Sequence, residues 1–331
     1  MKYRELGKRT GLRVSEIGLG AWGLGGAVDV LPPTGQGDRY PANYGDMSDD
    51  EAQALLEACF ADGINFLDTA PFYGNGRSEE RIGRAIRGRD DVIVATKAGV
   101  FIDEQGRSMR EFSRQIVKQQ FDESRRRLGR DILDIEFLHS PNHEEYGAGE
   151  AMNALQELKA EGKLRFIGVS VNLGPTNPHR EFIERGEVDV IEMPLSLLHP
   201  EGTELLPLAL QHGVGIVVRQ ALVGGVLSGR FTRDTVFPEN DQRRLWPRER
   251  LFEWLDKFDR LSFLRQDGRR TPAQAALQWV LSQDGVSTVI AGAMSAPEMQ
   301  ENAAVPDLPA LTPAELARVG EVQAGALPAV R

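Results

Sequence analysis

Four side chains that can take part in proton transfer stand where three consecutive apolar segments of the sequence end. The segment "INFLDTA" ends with Asp68, and Tyr73 follows five residues later in "PFYG". The next segment, "DVIVATKAG", ends with Lys97, and the one after it, "DILDIEFLHSP", ends with His139. If these segments are neighbouring parallel strands, they lie about 4.8 Å apart, and the four side chains can meet at one edge of the sheet.

This combination suits a reaction in which a carbonyl oxygen gains a proton or an alcohol loses one. A tyrosine hydroxyl has a reference pKa of about 10, and a neighbouring lysine ammonium favours the tyrosinate and lowers that pKa. Asp68 supplies the counter-charge that a buried Lys97 needs, and His139 can donate a hydrogen bond to the carbonyl oxygen. None of these side chains supplies a hydride, so the reaction also requires a nicotinamide cofactor.

Each of these residues has a simpler interpretation when it is taken alone. An aspartate–lysine pair at strand ends is often structural, and a histidine in "FLHSP" is more often a hydrogen-bonded core residue. Lys97 could instead form a Schiff base with a carbonyl substrate, as in a barrel aldolase. The occurrence of all four residue types on three successive segments favours the proton-transfer site.

The elements that must position these residues repeat along the whole chain. Apolar runs of strand length alternate with amphipathic helical patterns, as expected for parallel strands that are buried on both faces. The eight runs are residues 16–22, 64–70, 91–99, 131–141, 164–171, 188–195, 214–220 and 286–292. Because no long linker interrupts them, we predict a single (β/α)₈ TIM barrel domain that covers residues 1–331.

Two segments stand outside the eight units. Residues 1–15 show a β-hairpin pattern with "KRTG" as its turn, which we expect to plug one end of the barrel. Residues 231–250 form a long polar loop after the seventh strand, and loops of that length are usually lids or binding loops. A doubly wound sheet is the alternative fold, but no glycine-rich dinucleotide turn follows an early strand and opens a helix.

Composition excludes several classes of function. The chain has 331 residues, a formal net charge of −10 and a pI near 5.2, which argues against nucleic-acid and anionic-membrane partners. It has no apolar stretch long enough to span a membrane, and its first residues lack the apolar region of a secretory signal. The single cysteine, Cys59, lies in a helical pattern and is predicted to be a core residue. We therefore expect a cytoplasmic protein.

On these residues and their surroundings, the chain resembles the aldo-keto reductase family. "FLDTAPFYG" followed by "SEERIGRAI" is similar to the family's first signature, and "ILDIEFLHSP" is similar to the strand that carries its catalytic histidine. The stretches "GVGIVVRQALVGGVLSGRF" and "ALQWVLSQDGVSTVIAGAMSAPEMQEN" resemble its cofactor-binding half. The resemblance covers essentially the whole chain and implies a catalytic tetrad of Asp68, Tyr73, Lys97 and His139. It further implies that Tyr73 is the general acid in reduction and the general base in oxidation.

The resemblance also implies where a nicotinamide cofactor binds. Ser170 matches a family residue that holds the nicotinamide amide, whereas Glu192 replaces a glutamine and Arg219 replaces a ring-stacking aromatic residue. A carboxylate accepts hydrogen bonds but cannot donate them, and a guanidinium is planar but positively charged. The other implied cofactor-binding residues are Gln220, Leu222, Gly224, Gly292, Glu298, Glu301 and Asn302.

The adenosine end bears on the choice between NAD and NADP. The family usually has lysine or arginine after the eighth strand to bind the 2′-phosphate of NADP, but this chain has neither between Arg270 and Arg318. Glu298 stands in the place of a common arginine, where it would repel a phosphate but can accept from a ribose hydroxyl. The family therefore implies NADP, whereas these residues favour NAD(H). Arg230 or Arg233 from another loop could restore phosphate binding.

Aromatic residues at strand ends or in loops are candidates for the substrate pocket, with core or lid packing as the alternative. They are Trp22, Phe72, Phe101 and Trp246. We predict no metal site, because the only suitably spaced histidines, His139 and His143, flank a proline and have no evident third ligand.

The expected function is an oxidoreductase that interconverts a carbonyl and an alcohol on a small molecule. Aldehydes, ketones and sugars all fit, and the polar loop at 231–250 favours a hydroxylated substrate. One alternative is a cofactor-holding binding subunit with little turnover. The other is a barrel lyase in which Lys97 is the Schiff-base nucleophile.

Overall fold

Eight parallel strands close into a barrel, and each lies within one of the apolar runs of the sequence. The computed structural model describes residues 1–147, 149–174, 178–266 and 268–325. The strands are β1 (Ile17–Gly20), β2 (Phe66–Asp68), β3 (Ile93–Ala98), β4 (Leu133–His139), β5 (Leu164–Ser170), β6 (Val190–Pro194), β7 (Gly215–Arg219) and β8 (Thr288–Ala291). Each strand pairs with the next, and β8 pairs with β1, so the predicted (β/α)₈ TIM barrel is confirmed.

Helices surround the barrel, and local sequence signals fix the ends of several. Ser48 with Glu51 and Thr271 with Gln274 form capping boxes that satisfy free N–H groups at two helix starts. The helices are α1 (Asp49–Ala61), α2 (Arg77–Ala85), α3 (Arg114–Leu128), α4 (His143–Gly147), α5 (Glu150–Ala160), α6 (His179–Glu184), α7 (Leu206–His212), α8 (Arg248–Arg260), α9 (Pro272–Leu281), α10 (Ala296–Ala303) and α11 (Pro313–Gln323).

The N-terminal residues form the predicted hairpin. Tyr3–Glu5 pairs antiparallel with Arg13–Ser15, and a one-turn helix, Gly7–Thr10, makes the connection where a simple turn was expected. Leu6 and Val14 are fully buried and belong to the same apolar cluster as the residues inside the barrel. The hairpin therefore plugs the end of the barrel at which the strands begin.

Inside the barrel, an apolar layer is followed by a polar layer at the carboxyl ends of the strands. The apolar layer includes Phe66, Ala95, Phe137, Val190 and Val217. Because side chains on a strand alternate with a period of two, the residue two places further on points inward again, one layer higher. Those next residues are Asp68, Lys97, His139, Glu192 and Arg219. The strand periodicity itself thus brings the polar residues of five strands to one mouth of the barrel.

The long loop after β7 covers part of that mouth. It is shorter than predicted, because α8 already begins at Arg248, and it contains a 3₁₀ turn at Gln242–Leu245. The Gln242 N–H donates to the carbonyl oxygen of Asn43 at 2.8 Å, which ties the loop to the segment that follows β1. Two small hairpins that the sequence did not predict flank the mouth; they pair Asp29–Val30 with Tyr40–Pro41 and Val100–Ile102 with Ser108–Arg110.

Cys59 lies inside α1 and is fully buried, which confirms its prediction as a core residue. Burial raises the pKa of its thiol to about 12, so the thiol is not a nucleophile at neutral pH. Within the described ranges, no helix combines the length and the apolar character that a membrane span requires.

One carboxyl group is buried on the outer side of the barrel wall. Glu136 of β4 pairs in register with Thr96 of β3, and neither of its carboxyl oxygens has a hydrogen-bond partner among the described residues. Burial raises the pKa of Glu136 well above its usual range, and the neighbouring Glu79 raises it further. Glu79 itself is paired with Arg127 and Thr96. Glu136 therefore keeps its proton well above the pH at which an exposed glutamate loses it.

This buried proton makes the stability of the fold depend on pH. The folded state keeps the proton and the unfolded state releases it. The free energy of unfolding therefore falls by up to about 1.4 kcal/mol per pH unit above about pH 4.3, until the raised folded-state pKa is reached. Glu136→Gln cannot ionise, so we expect it to gain stability relative to the wild type as the pH rises above about 4.3. Melting curves measured from about pH 5 upward, with Glu321→Gln at an exposed position of α11 as control, measure the slope. An unchanged slope in Glu136→Gln would show that this carboxyl is not the source.

Candidate active site

Lys97 is the residue around which the barrel mouth is organised. Its side chain is fully buried, and its ammonium contacts the carboxylate of Asp68. It also donates to the carbonyl oxygen of Thr69 at 3.0 Å and lies 3.2 Å from Oε2 of Glu192. Burial alone would lower the pKa of Lys97, but the two carboxylates raise it above its ordinary value. The lysine is therefore a fixed cation, held by one more carboxylate than the sequence predicted.

A tight turn after β2 brings the Tyr73 ring over Lys97. The lysine Nζ lies 5.1 Å from the centroid of that ring. Gly74 has a φ of 64°, and a Cβ there would lie 2.1 Å from the carbonyl oxygen of Gly25, so only glycine fits. Trp22 packs edge-on against Tyr73 with ring centroids 4.8 Å apart. The turn and the indole together fix the position of the tyrosine hydroxyl.

The surroundings of the Tyr73 hydroxyl differ from the sequence-based expectation. Burial raises the pKa of Tyr73 above its ordinary value, and the positive charge of Lys97 offsets only part of that increase. Asp68 and Glu192 raise the pKa further, because their negative charges disfavour a phenolate beside them. The expectation that Lys97 tunes the pKa of Tyr73 towards neutrality is therefore wrong. The lysine acts in that direction, but burial and two carboxylates outweigh it.

His139 ends β4 and lies edge-on to Tyr73, with ring centroids 6.2 Å apart. Burial lowers the pKa of His139 to about 3, and the charge of Lys97 contributes. The imidazole is therefore neutral throughout the physiological pH range. Its Nδ1 is buried and has no hydrogen-bond partner in the part of the chain that the structure describes, which leaves a polar ring atom able to bind an oxygen.

Glu192 and Arg219 form a second charged pair at the mouth. Nε of Arg219 lies 3.3 Å from Oε1 of Glu192, and the Ser170 hydroxyl donates to the same oxygen at 2.9 Å. The guanidinium also donates to the carbonyl oxygen of Val171 at 3.0 Å and to Oδ1 of Asn172 at 2.6 Å. Three of the predicted nicotinamide residues thus lie together, and Asn172 contacts one of them.

The charges at the mouth alternate in sign from Arg219 through Glu192 and Lys97 to Asp68. Burial would raise the pKa of Glu192, but Lys97 and Arg219 outweigh it and hold that pKa below its ordinary value. Among the described residues Lys97 is the cation beside Asp68, and burial and the nearby Glu192 outweigh it and raise the pKa of Asp68 well above the usual range. Of the two carboxyls, Glu192 is therefore the stronger acid.

The loop after β7 carries the residues predicted to wrap the pyrophosphate. Gln220 and Leu222 precede a 3₁₀ turn at Val223–Ser228, in which Gly224 has a φ of 61°. A Cβ on Gly224 would lie 2.6 Å from the Trp246 ring, so the backbone approaches that ring as closely as glycine permits. This backbone turn has the glycine content that close approach to a phosphate requires.

Strained backbone is concentrated around the same mouth. The non-glycine residues with positive φ in the described ranges are Asn75, Ser140, Gln220 and Val223. Asn75 and Ser140 follow Tyr73 and His139, and Gln220 directly follows Arg219. Side chains at positive φ cost free energy and persist where the surrounding structure holds them, most often at functional sites.

The predicted adenosine side lies around α10. Glu298 accepts a hydrogen bond from the Met294 N–H at 2.8 Å, and its carboxylate contacts the Arg230 guanidinium. Arg230 also lies 3.9 Å from Glu301, which accepts a hydrogen bond from the Thr271 hydroxyl at 2.6 Å. An arginine from the β7 loop therefore reaches Glu298, which stands in the place of a common family arginine, and comes close to Glu301.

The other residues predicted for this side differ in their surroundings. Arg233 contacts Asp256, whereas Arg230 contacts the α10 carboxylates. Asn302 is buried, and a Cβ on Gly292 would meet nothing closer than a carbonyl oxygen at 3.9 Å. A groove of about 740 Å³ lies beside Thr271; its lining includes Ser228, Gly229, Phe231, Phe258, Pro272 and Gln274.

The four predicted substrate-pocket residues separate into three places. Trp22 and Phe72 stack with centroids 5.8 Å apart, and Trp22 also touches Tyr73. Trp246 belongs to an aromatic cluster with Phe237 and Trp254 beside the long loop. Phe101 lies on the hairpin after β3. The structure thus brings two of the four next to the tetrad.

Two features of the structure were not predicted from the sequence, one at the mouth and one on the outer side of the barrel wall. The first is the contact between Glu192 and Lys97, which joins strands far apart in the chain and has no sequence signal beyond the inward-facing position. The second is the buried Glu136, which a charge in the middle of "ILDIEFLHSP" could have revealed. Among the described residues, no group of three potential ligands surrounds a metal position, and His143 instead lies 3.6 Å from Glu181.

The residues present fit a nicotinamide dinucleotide. Buried polar atoms without a hydrogen-bond partner in the described ranges occur at Trp22 Nε1, His139 Nδ1 and Glu192 Oε2. The glycine-containing turn after β7 and the Arg230–Glu298 pair extend from this mouth along the same rim. Together they provide a polar pocket, a backbone cradle and a charged end, as an extended cofactor requires.

Comparison with known proteins agrees with the fold. The family model described as the aldo/keto reductase family matches residues 16–324. The chain belongs to this family of barrel oxidoreductases, whose members use nicotinamide cofactors.

Three relatives illustrate the range of this similarity. An NADH-specific methylglyoxal reductase of Escherichia coli is 30% identical, over 92% of this chain and 93% of its own. A probable voltage-gated potassium channel subunit beta of Arabidopsis thaliana is 30% identical, over 97% of this chain and 96% of its own. The solved structure of a glycerol dehydrogenase from Gluconobacter oxydans is 28% identical, with a TM-score of 0.79, over 99% of this chain and 97% of its own.

Proposed function

We propose that the protein transfers a hydride between a nicotinamide cofactor and a carbonyl or alcohol, with Tyr73 as the general acid and base. The observation that carries this proposal is the buried arrangement in which Tyr73 lies over Lys97, Lys97 contacts Asp68, and His139 lies beside them. A barrel of the aldo/keto reductase family with these groups at its mouth has what proton transfer to a carbonyl oxygen needs.

Each residue of the tetrad has a distinct task in this proposal. The bound cofactor supplies or accepts the hydride. Tyr73 gives its proton to the carbonyl oxygen in reduction and takes it back in oxidation. Neutral His139 donates a hydrogen bond that orients this oxygen, and Lys97 stabilises the tyrosinate that remains. Asp68 holds the lysine in place.

Ser170, Glu192 and Arg219 would hold the nicotinamide, and the glycine-containing turn after β7 would hold the phosphates. The side chain of Glu192 can accept hydrogen bonds from an amide N–H₂, and Arg219 offers a flat surface for a ring. We also propose a cytoplasmic enzyme built as one domain, on the basis of the single buried cysteine and the barrel that the whole chain contributes to.

We propose that NAD(H) is used well and that NADP(H) is not strongly preferred. Glu298 would lie on the adenosine side, and its contact with Arg230 already neutralises an arginine that could bind a 2′-phosphate. The relative from Escherichia coli is described as NADH-specific, which supports this choice. A wild-type protein with a hundredfold preference for NADPH would overturn it.

Glu298→Gln is expected to improve the use of NADPH. The change releases Arg230 from its carboxylate partner, so the guanidinium can bind a 2′-phosphate. We expect kcat/KM for NADPH to rise by about tenfold, which corresponds to about 1.4 kcal/mol. The double variant Glu298→Gln/Arg230→Gln is the matched control and should lose this gain while NADH kinetics change little. If the double variant keeps the gain, Arg230 is not the phosphate ligand.

The proposed substrate is a small hydroxylated carbonyl compound or the corresponding alcohol. The polar loop after β7 reaches over the mouth, and two relatives are described as acting on methylglyoxal and glycerol. Absorbance of the reduced cofactor, followed with a panel of aldehydes, ketones, sugars and polyols and with both cofactors, tests this. Absence of turnover with every compound would instead favour a cofactor-holding subunit, the role that the similarity to the Arabidopsis channel subunit suggests.

A further inference from the structure

Glu192 is a buried charge that the proton-transfer tetrad does not include. Its Oε2 lies 3.2 Å from the Lys97 ammonium, and its Oε1 lies 3.3 Å from Nε of Arg219. The Glu192 side chain is 1% exposed and that of Arg219 is 17% exposed, so water screens this contact little. The negative charge of Glu192 therefore lies beside Lys97, the described cation over the Tyr73 ring, and the positive charge of Arg219 lies beside Glu192.

The two charges have opposite effects on the proton of Tyr73. Loss of that proton creates a phenolate, which Lys97 stabilises by its positive charge. The carboxylate of Glu192 weakens the field of Lys97, whereas the guanidinium of Arg219 neutralises Glu192. With both residues present Arg219 offsets part of the effect of Glu192, and with one of them removed the other acts alone on the mouth.

We propose that Glu192 and Arg219 are a positioning pair that sets, through Lys97, how readily Tyr73 releases its proton. This inference rests on the proposed function of Tyr73 as acid and base. No described contact joins either residue to the phenol, so their influence is electrostatic: it acts on the phenolate across space and by changing the field of Lys97.

The other groups near Tyr73 do not supply this control. The charged and titratable residues that surround it or its neighbours are Asp68, Lys97, His139, Glu192, Arg219 and, further out, Arg110. Asp68 is in direct contact with Lys97, and His139 is neutral. Arg110 bonds to the Ser140 carbonyl oxygen and to Glu145 at the surface. Glu192 and Arg219 are the remaining pair of opposite charges.

The pH profile of alcohol oxidation tests the pair, because kcat/KM rises with pH as the base Tyr73 loses its proton. Glu192→Gln removes a negative charge and should move this rising limb of the kcat/KM profile to lower pH by roughly one unit. That is the size expected for one buried charge at an effective dielectric near 20. Arg219→Gln should move the limb to higher pH by a similar amount. The double variant, which leaves neither charge unpaired, should return the limb close to its wild-type position.

A second measurement does not depend on turnover. Titration of NAD⁺ and NADH, followed by tryptophan fluorescence, gives the ratio of their dissociation constants. Because NAD⁺ carries a positive ring, Glu192→Gln should shift this ratio towards NADH and Arg219→Gln towards NAD⁺, each by roughly tenfold. Glu157→Gln, which removes a carboxylate on the outer helices, is the matched control and should move neither readout.

The results separate the failure of this inference from failure of the proposed function. If the rise of kcat/KM with pH moved in the same direction in both single variants, the proposed role of the pair would be refuted. The same holds if the double variant did not return to the wild-type pH profile. If Tyr73→Phe remained active while the binding ratios still moved in opposite directions, the role of Tyr73 would fail and, with it, the proposed route through Lys97.

Discussion

Replacement of Tyr73 by phenylalanine is expected to abolish carbonyl reduction while cofactor binding stays near normal. The change removes only the hydroxyl, and the ring can keep its edge-on contact with Trp22, at a centroid distance of 4.8 Å, and its position over Lys97. Loss of a positioned general acid lowers kcat by about 10²- to 10⁴-fold. Steady-state kinetics with NADH and an aldehyde measure this loss, and quenching of tryptophan fluorescence measures cofactor affinity in the same preparation.

The matched control removes a tyrosine hydroxyl at the other end of the barrel. Tyr3 lies on the N-terminal hairpin and donates to the carbonyl oxygen of Gly63 at 2.7 Å. Tyr3→Phe should therefore leave kcat unchanged, whatever it does to stability. A Tyr73→Phe protein with full activity would refute the proposed mechanism, because no other described phenol lies over Lys97.

Replacement of Lys97 by methionine is expected to cost both activity and stability. The change leaves Asp68 and Glu192 as two buried carboxylates with Arg219 as the cation that remains in contact with one of them. Breaking a buried ion pair by removing one partner costs about 3–5 kcal/mol. We expect kcat to fall by at least about 10²-fold, because the tyrosinate loses its stabilising charge. Thermal or urea unfolding and steady-state kinetics measure the two effects.

A compensating substitution separates these two losses. Lys97→Met combined with Asp68→Asn removes one of the buried negative charges that Lys97→Met leaves without a cation, so much of the stability should return. Activity should not return, because the cation beside Tyr73 is still missing. If activity recovered together with stability, Lys97 would serve only to hold the fold.

The surroundings of the same lysine argue against the lyase alternative. A Schiff base requires the free amine, but Asp68 and Glu192 raise the pKa of Lys97 and keep it protonated. Borohydride added with a carbonyl substrate should therefore leave Lys97 unmodified, as peptide mass mapping can show. A reduced adduct on this residue would support the lyase instead.

The strand ends could be predicted from the sequence because a barrel obeys simple periodicity. Continuous apolar runs locate the strands, and the carboxyl end of each run shows which residue reaches the mouth. This was sufficient to place Asp68, Tyr73, Lys97 and His139 together. It was sufficient because neighbouring runs in the chain are also neighbouring strands in the barrel.

Other features of the mouth could not be predicted in this way. The contact of Glu192 with Lys97 joins β6 to β3 across the interior, and sequence order contains no information about such distances. The direction of the Tyr73 pKa shift depends on a balance between burial, one ammonium and two carboxylates. Such a balance needs the three-dimensional arrangement, whereas the residue types alone suggested the opposite sign.

The N-terminal hairpin has a consequence for the order of events during turnover. With Leu6 and Val14 closing the lower end, the polar layer is reached from the opposite end, past the rim loops. If the cofactor and the substrate enter and leave the barrel through the same mouth, neither can bind or dissociate independently of the other. We expect the reactant that lies deeper to arrive first and depart last, so the hairpin, far from any reacting atom, imposes a compulsory sequence on binding and release.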